Sequence, residues 1–143
     1  MLYLETSALL RAAVERQAEV LERMQKKPSW VTSALTLVEC ERAIFWMQQR
    51  KTMSTRRRAD AMSFQRDVTW RTEVSEIDAA IFERTVQPFP VEPVRTLDGM
   101  HLASILRWAE TGPVEVMTCD QRVMRNAKQL GLAVSYFPVE PRT

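Results

Sequence analysis

GPVEVMTCDQRVMRNAKQLGLAVSYF, residues 112–137, contains the fold in miniature. Gly112 and Pro113 stop whatever precedes them. Val114 to Thr118 is a short run of strand-forming residues, and Asp120 offers a side-chain oxygen to the first turn of a helix. That helix ends at Leu130 with Gly131 in the C′ position, and Ala133 to Phe137 forms a second strand. Two strands joined by a helix with short connections pair in parallel, because parallel neighbours need a crossover. Upstream, the same alternation repeats. Leu2 to Leu4 reads as a strand followed by helical sequence to Lys27, which Pro28 breaks. Trp30 to Thr32 is a second strand, Ser33 opens a helix reaching about Arg50, and another helix spans Ser54 to Trp70. Arg71 to Ser75 is extended, Ile77 to Val86 is helical until the prolines at 88, 90 and 93, and Thr96 opens a helix to Glu110. The pattern predicts a three-layer α/β/α sandwich around a central parallel sheet.

At 143 residues the chain is expected to be a single domain, residues 1–143. A chain of this size buries roughly 68–70% of its unfolded surface and needs no disulfide or metal to fold. Its composition, 45% hydrophobic and 27% charged with 3 Gly and 7 Pro, excludes disordered and low-complexity classes. The longest apolar run, Ala43 to Met47, is far too short to span a bilayer, and MLYLETSALL lacks the basic region of a signal peptide. A cytoplasmic protein without membrane attachment is expected. Cys40 and Cys119 lie in apolar surroundings with no CxxC spacing, which predicts reduced, buried thiols. The net charge of +2 conceals an asymmetry: Arg50 to Arg71 holds seven basic residues against two acidic ones, so the rest of the chain is at −3. Such a stretch suits a phosphate backbone or simply a solvated helix face.

In an open parallel sheet, ligands gather at the carboxyl ends of the strands. Glu5 ends the first strand, and Asp120 follows the Val114 to Thr118 strand. Asp98 heads the stripe Asp98, Leu102, Ile105, Ala109, an otherwise apolar helix face that predicts partial burial. Each acid also has a local reading, since Asp120 is a good N-cap and Asp98 complements a helix dipole. Together, carboxylates on one edge repel one another, and a divalent cation relieves that repulsion. Oxygen ligands alone suit Mg²⁺ or Mn²⁺. A fourth acid lies in the Ser33 to Arg50 helix, where periodicity does not choose between Glu39 and Glu41.

LYLETSALL, SALTLVECERA, RTLDGMHLAS and TCDQRVMRNAKQLGL occur in that order from end to end of the chain. In these segments the chain resembles the PIN-domain ribonucleases, and among them the VapC-type toxins of toxin-antitoxin pairs. The resemblance implies a PIN-like sandwich, a divalent metal and hydrolysis of RNA by a metal-activated water. It maps the family's four acidic positions onto Glu5, Glu39, Asp98 and Asp120, choosing Glu39 over Glu41. It also assigns Ser7 to metal or water placement and implies a cognate antitoxin and a homodimer. Thr118 is a candidate phosphate donor or a local backbone partner.

One position departs from the pattern: Glu5 stands where the family usually has aspartate. The extra methylene moves the carboxylate by about 1.5 Å, and misplacement near 1 Å can cost about 10²-fold in rate. The expectation is a metal-dependent ribonuclease in which Glu5 still ligates metal, directly or through a water, with reduced activity or a preference for Mn²⁺ open; the alternative is an impaired module that binds RNA or antitoxin. Arg50, Lys51, Arg56, Arg57 and Arg58, on the hairpin between the two long helices, are the candidate RNA-backbone contacts. His101, one turn after Asp98, is expected to be a packed or surface residue. Trp46 and Trp70 are expected in the core or at a dimer contact rather than stacked on bases. A phosphotransfer receiver also gathers acids at a strand edge, but single Glu5 and helical Lys128 fit it poorly.

Overall fold

The computed structural model describes residues 1–139. Five strands, β1 (Leu2–Leu4), β2 (Trp30–Ser33), β3 (Thr72–Ser75), β4 (Glu115–Thr118) and β5 (Ala133–Tyr136), form one sheet in the order β3-β2-β1-β4-β5. Every pairing is parallel. The helices are α1 (Thr6–Leu10), α2 (Ala18–Gln25), α3 (Ala34–Gln49), α4 (Thr55–Trp70), α5 (Ala79–Thr85), α6 (Thr96–Thr111) and α7 (Gln121–Gln129). The expected three-layer parallel sandwich is the fold observed.

Side-chain alternation along the strands makes two cores. Leu2, Leu4 and Met117 point to one face, where Leu9, Val20, Met24, Cys40 and Val68 cover them. Tyr3, Val31 and Val116 point to the other, under Leu102, Ile105 and Val123. The chain winds from β1 out to β3 and then returns to β4 on the opposite side of β1. The strand order therefore reverses between β1 and β4, and their carboxyl ends open the crevice where such sheets place ligands.

Local capping matches the sequence at most joints. Ser54 caps α4 through the Arg57 amide, Asp120 caps α7, and Gly131 closes α7 with a φ of 77°, which glycine adopts freely. The segment after β1 differs from the single helix expected to Lys27. Helix α1 widens into a π-helical turn over Arg11–Glu15, and Arg16 adopts a left-handed φ of 54° before α2 begins. No glycine or proline marks this break, and its cause is tertiary. Ala12 and Ala13 are buried against neighbouring elements, and the Arg16 guanidinium lies 4.5 Å from the Phe64 ring centre on α4. Trp46 and Trp70 lie outside the core, at 48% and 89% exposed, which leaves the dimer contact of the two expected places. Arg42 and Arg50 flank the Trp46 indole, whereas Trp70 ends α4 with its ring in solvent.

At the amino end of the sheet, Glu115 is buried on β4 and receives Arg23 at 2.5–2.7 Å, Lys27 at 3.0 Å and the Ser135 hydroxyl at 2.5 Å. Burial opposes its charge, but these donors outweigh burial and hold the carboxyl at about 2. A depressed carboxyl stabilises the fold above its unfolded value and loses that contribution as pH falls toward 2. Glu115→Gln should therefore lower stability by about 1–3 kcal/mol near neutrality. In urea titrations across the acid range it should also flatten the loss of stability between about pH 5 and pH 2.

Candidate active site

Glu5 leaves β1 at its carboxyl end, bonded through its amide to the Met117 carbonyl at 3.1 Å. Its side chain turns back to cap α1, so Oε2 accepts the Ser7 amide at 3.1 Å and the Ser7 hydroxyl. The same oxygen accepts the Thr118 hydroxyl at 2.8 Å from the end of β4. Thr118 in turn accepts the Asp120 amide at 3.0 Å, and Ser7 accepts the Cys119 amide at 2.7 Å. One carboxylate oxygen thus ties the ends of β1 and β4 across the crevice. The expected supporting residues Ser7 and Thr118 both meet Glu5, and the Thr118 hydroxyl is directed to it rather than outward.

Glu39 projects from α3 toward the same crevice. Its Oε2 accepts the Thr6 hydroxyl at 2.5 Å and faces Nε2 of His101 at 2.6 Å. His101 lies on α6, 2% exposed, with Nε2 4.0 Å from Oε1 of Glu5. Asp98, one turn earlier on α6, is half-buried with its Oδ2 enclosed and unpaired. Asp120 Oδ1 caps α7, accepting the Arg122 and Val123 amides at 2.7 and 3.0 Å.

A pattern unites the acids. Glu5, Glu39 and Asp120 each engage the protein through one oxygen, and the other takes no hydrogen bond among the described residues. Asp98 contributes an oxygen that is buried yet unpartnered. Among the described residues, no three His, Cys, Asp or Glu side chains are gathered closely enough to hold a metal ion. Glu39 and Glu5 face His101 at 2.6 and 4.0 Å, Asp98 adds its charge from one turn earlier on α6, and Asp120 adjoins Asp98.

Titration follows from this geometry. Burial pushes the Glu5 carboxyl up against its hydroxyl donors and the His101 charge. Burial also raises Asp98, aided by the neighbouring Asp120 charge. For Glu39, burial is outweighed by the His101 and Thr6 bonds, and its carboxyl falls below the ordinary range. Burial opposes the His101 imidazolium, but the Glu39 bond and the charges of Glu5, Glu39 and Asp98 raise it above the usual histidine value. The two thiols match the sequence reading. Cys40 and Cys119 are buried and unpaired, and burial pushes Cys119 up to about 11.

His101 is packed, as expected, and its contacts with Glu39 and Thr6 are what the linear sequence did not give. His101 is three residues after Asp98 and shares the inward face of α6, the one signal that pointed to it. Arg50, Lys51, Arg56 and Arg57 are exposed on the α3–α4 hairpin and Arg58 is partly so. Arg50 is 11 residues beyond Glu39 on the same helix, about 16 Å along its axis. Arg50 and Arg57 line a surface cavity of about 590 Å³ with Trp46 and Met47.

No protein-family model matches the sequence. Ribonuclease VapC35 of Mycobacterium tuberculosis is 33% identical over 141 residues, covering 94% of this chain and 95% of its own length. The chain belongs to the VapC ribonuclease family. Solved structures of VapC relatives share its fold. VapBC2 from Rickettsia felis, bound to a DNA fragment from its promoter, matches with a TM-score of 0.64 at 14% identity, over 96% of this chain and 99% of that one. VapC20 of M. tuberculosis, a sarcin-ricin loop cleaving toxin, matches with a TM-score of 0.61 at 14% identity, over 87% and 94%. Such identities establish the PIN fold alone. The 33% relative carries the family.

The Thr118 hydroxyl is the joint between the β4 end, the Glu5 carboxylate and the α7 cap. Thr118→Val keeps the shape and removes the hydroxyl, leaving a buried carboxylate oxygen short of a donor and the Asp120 amide short of an acceptor. A loss of about 1–3 kcal/mol in urea denaturation is expected.

Proposed function

We propose that this VapC chain is a divalent-metal-dependent endoribonuclease, with Glu5, Glu39, Asp98 and Asp120 holding Mg²⁺ or Mn²⁺. The observation that carries the reading is the orphaned Asp98 Oδ2, buried in a crevice where three more acids each keep one oxygen unengaged. An enclosed carboxylate oxygen without a donor is costly unless a cation satisfies it. An all-oxygen donor set suits Mg²⁺ or Mn²⁺. When bound, such a cation polarises the phosphodiester and lowers the pKa of a water that attacks it.

The chain's own residues supply the positioning. Ser7 and Thr118 fix Glu5 through one oxygen, which turns its Oε1 toward His101 and the crevice. That anchoring gives the longer side chain a defined place and supports an active site rather than a decayed one. Arg50, Lys51, Arg56, Arg57 and Arg58 hold the RNA backbone beyond the crevice. The VapBC neighbours support an antitoxin partner, and we extend the reading to a homodimer acting in the cytoplasm. Among the described residues, no helix is long and apolar enough to cross a membrane.

Purified protein incubated with structured RNA and Mg²⁺ or Mn²⁺ should cleave it, and Asp98→Asn should reduce the rate by at least about 10²-fold. Cleavage that survives in Asp98→Asn or in chelator overturns the proposal. A native chain inactive on every RNA tried, with activity appearing in Glu5→Asp, would instead mark an impaired binding module.

Joint neutralisation of Arg56, Arg57 and Arg58 should weaken RNA binding and flatten its dependence on salt concentration. Each phosphate that the variant no longer neutralises reduces the slope of log K against log[salt] by about 0.7–0.9. An unchanged slope places the RNA elsewhere.

A further inference from the structure

His101 is the single histidine of the chain, and both of its ring nitrogens are engaged inside the fold. Nε2 lies 2.6 Å from Glu39 Oε2 and 3.2 Å from Thr6 Oγ1, and Nδ1 lies 3.2 Å from the Tyr3 hydroxyl. A carboxylate only accepts, so Nε2 carries the hydrogen that points at Glu39. In the neutral ring Nδ1 is then bare, and the Tyr3 hydroxyl, whose one proton is shared between this nitrogen and Ser33 Oγ, is the donor within its reach. Tyr3 is completely buried on β1, and the Ser33 hydroxyl, 3.3 Å from its phenol oxygen, is its other neighbour. Three elements from different parts of the sequence, β1, α6 and α3, therefore meet in one line: Tyr3, His101, Glu39.

This line addresses a problem that Glu39 poses. Glutamate has three side-chain torsions, and this one stands on α3 with a quarter of its side chain exposed. Left to itself it would sample several rotamers, and ordering it would carry an entropic cost. Two donors on Oε2 remove that freedom and leave Oε1 as the oxygen turned to the crevice. The imidazole is itself held by a buried phenol, so its orientation does not drift.

We propose that Tyr3 and His101 form a positioning relay that presents Glu39, by its Oε1 alone, to the divalent cation. The inference rests on the metal-site reading above and assigns residues to which that reading gives no role. His101 acts through Glu39 and is not itself a ligand, since neither ring nitrogen is left to face a cation. Partners of this kind around metal ligands are worth about 10–100-fold in metal affinity.

Long-range proton-nitrogen NMR on the full chain reads this one imidazole without ambiguity. With the ring neutral, the expected spectrum has the proton on Nε2 and a bare Nδ1, and Tyr3→Phe, which takes the phenol away from Nδ1, should move the Nδ1 resonance while Glu39 keeps the proton on Nε2. Calorimetric titration with Mn²⁺ alone should show about 10–100-fold weaker binding in His101→Ala. His101→Gln, whose amide N–H can reach Glu39, should recover most of that loss. A neutral ring with its proton on Nδ1 in the native chain overturns the relay, as does native Mn²⁺ affinity in His101→Ala. Should His101→Ala fail to fold, Tyr3→Phe carries the test, and an unchanged Nδ1 resonance together with unchanged Mn²⁺ affinity overturns the proposal. The two readings fail separately. Cleavage surviving in Asp98→Asn removes the metal site without altering the tautomer expected, whereas an Nδ1 proton removes the relay and leaves the four acids in place.

Discussion

Like charges at the end of a parallel sheet repel one another, and burying them adds a desolvation cost to that repulsion. The crevice between β1 and β4 is organised around this constraint. Glu5 is nine-tenths buried or more and is kept in place by the Ser7 and Thr118 hydroxyls and an α1 amide. Glu39 shares its charge with the only imidazole of the chain. Asp120 commits one oxygen to the α7 amides. Of the four acids, Asp98 alone keeps a buried oxygen with no donor, so a burial cost that the fold leaves uncompensated falls there, and the Asp120 charge adds to it.

The presence of glutamate where the family usually has aspartate follows from the same supply of donors. A carboxylate placed directly after β1 can cap α1 or face the crevice. The longer side chain does both, with Oε2 bound among three donors and Oε1 turned toward His101. The extra methylene lies in the seam between β1 and β4, where Oε2 meets its donors. What it demands in return is the hydroxyl of Thr118, which reaches Glu5 from the end of the neighbouring strand.

Charge is partitioned along the molecule in a way that suits a ribonuclease. The acids occupy the carboxyl edge of the sheet, and the basic hairpin stands at the far end of α3, separated by about the length of three helical turns. At the opposite, amino edge, Glu115 is neutralised by Arg23 and Lys27, which join α2 and the loop after it to β4. The near-zero net charge is thus the sum of three local arrangements with different purposes. Exposed Trp46, between Arg42 and Arg50, lies within the basic region rather than in a core.

The alternation of strand and helix, the caps at Asp120 and Ser54, the Gly131 stop and the grouping of Glu5, Asp98 and Asp120 at one sheet edge were all legible in the linear sequence. Periodicity and capping are local, and a parallel sheet places every strand's carboxyl end on one side. Glu39 was separable from Glu41 only by resemblance, because α3 is apolar nearly all round. The break at Arg16 carries no glycine or proline and depends on contacts with α4. Above all, the meeting of Tyr3, Thr6, Glu39 and His101 spans 98 residues of sequence. Which oxygen of each carboxylate is bound, and which is left over, was decided only by tertiary structure, because hydrogen-bond partners on β1, α3 and α6 become neighbours only when the sheet and its two helical layers are packed together.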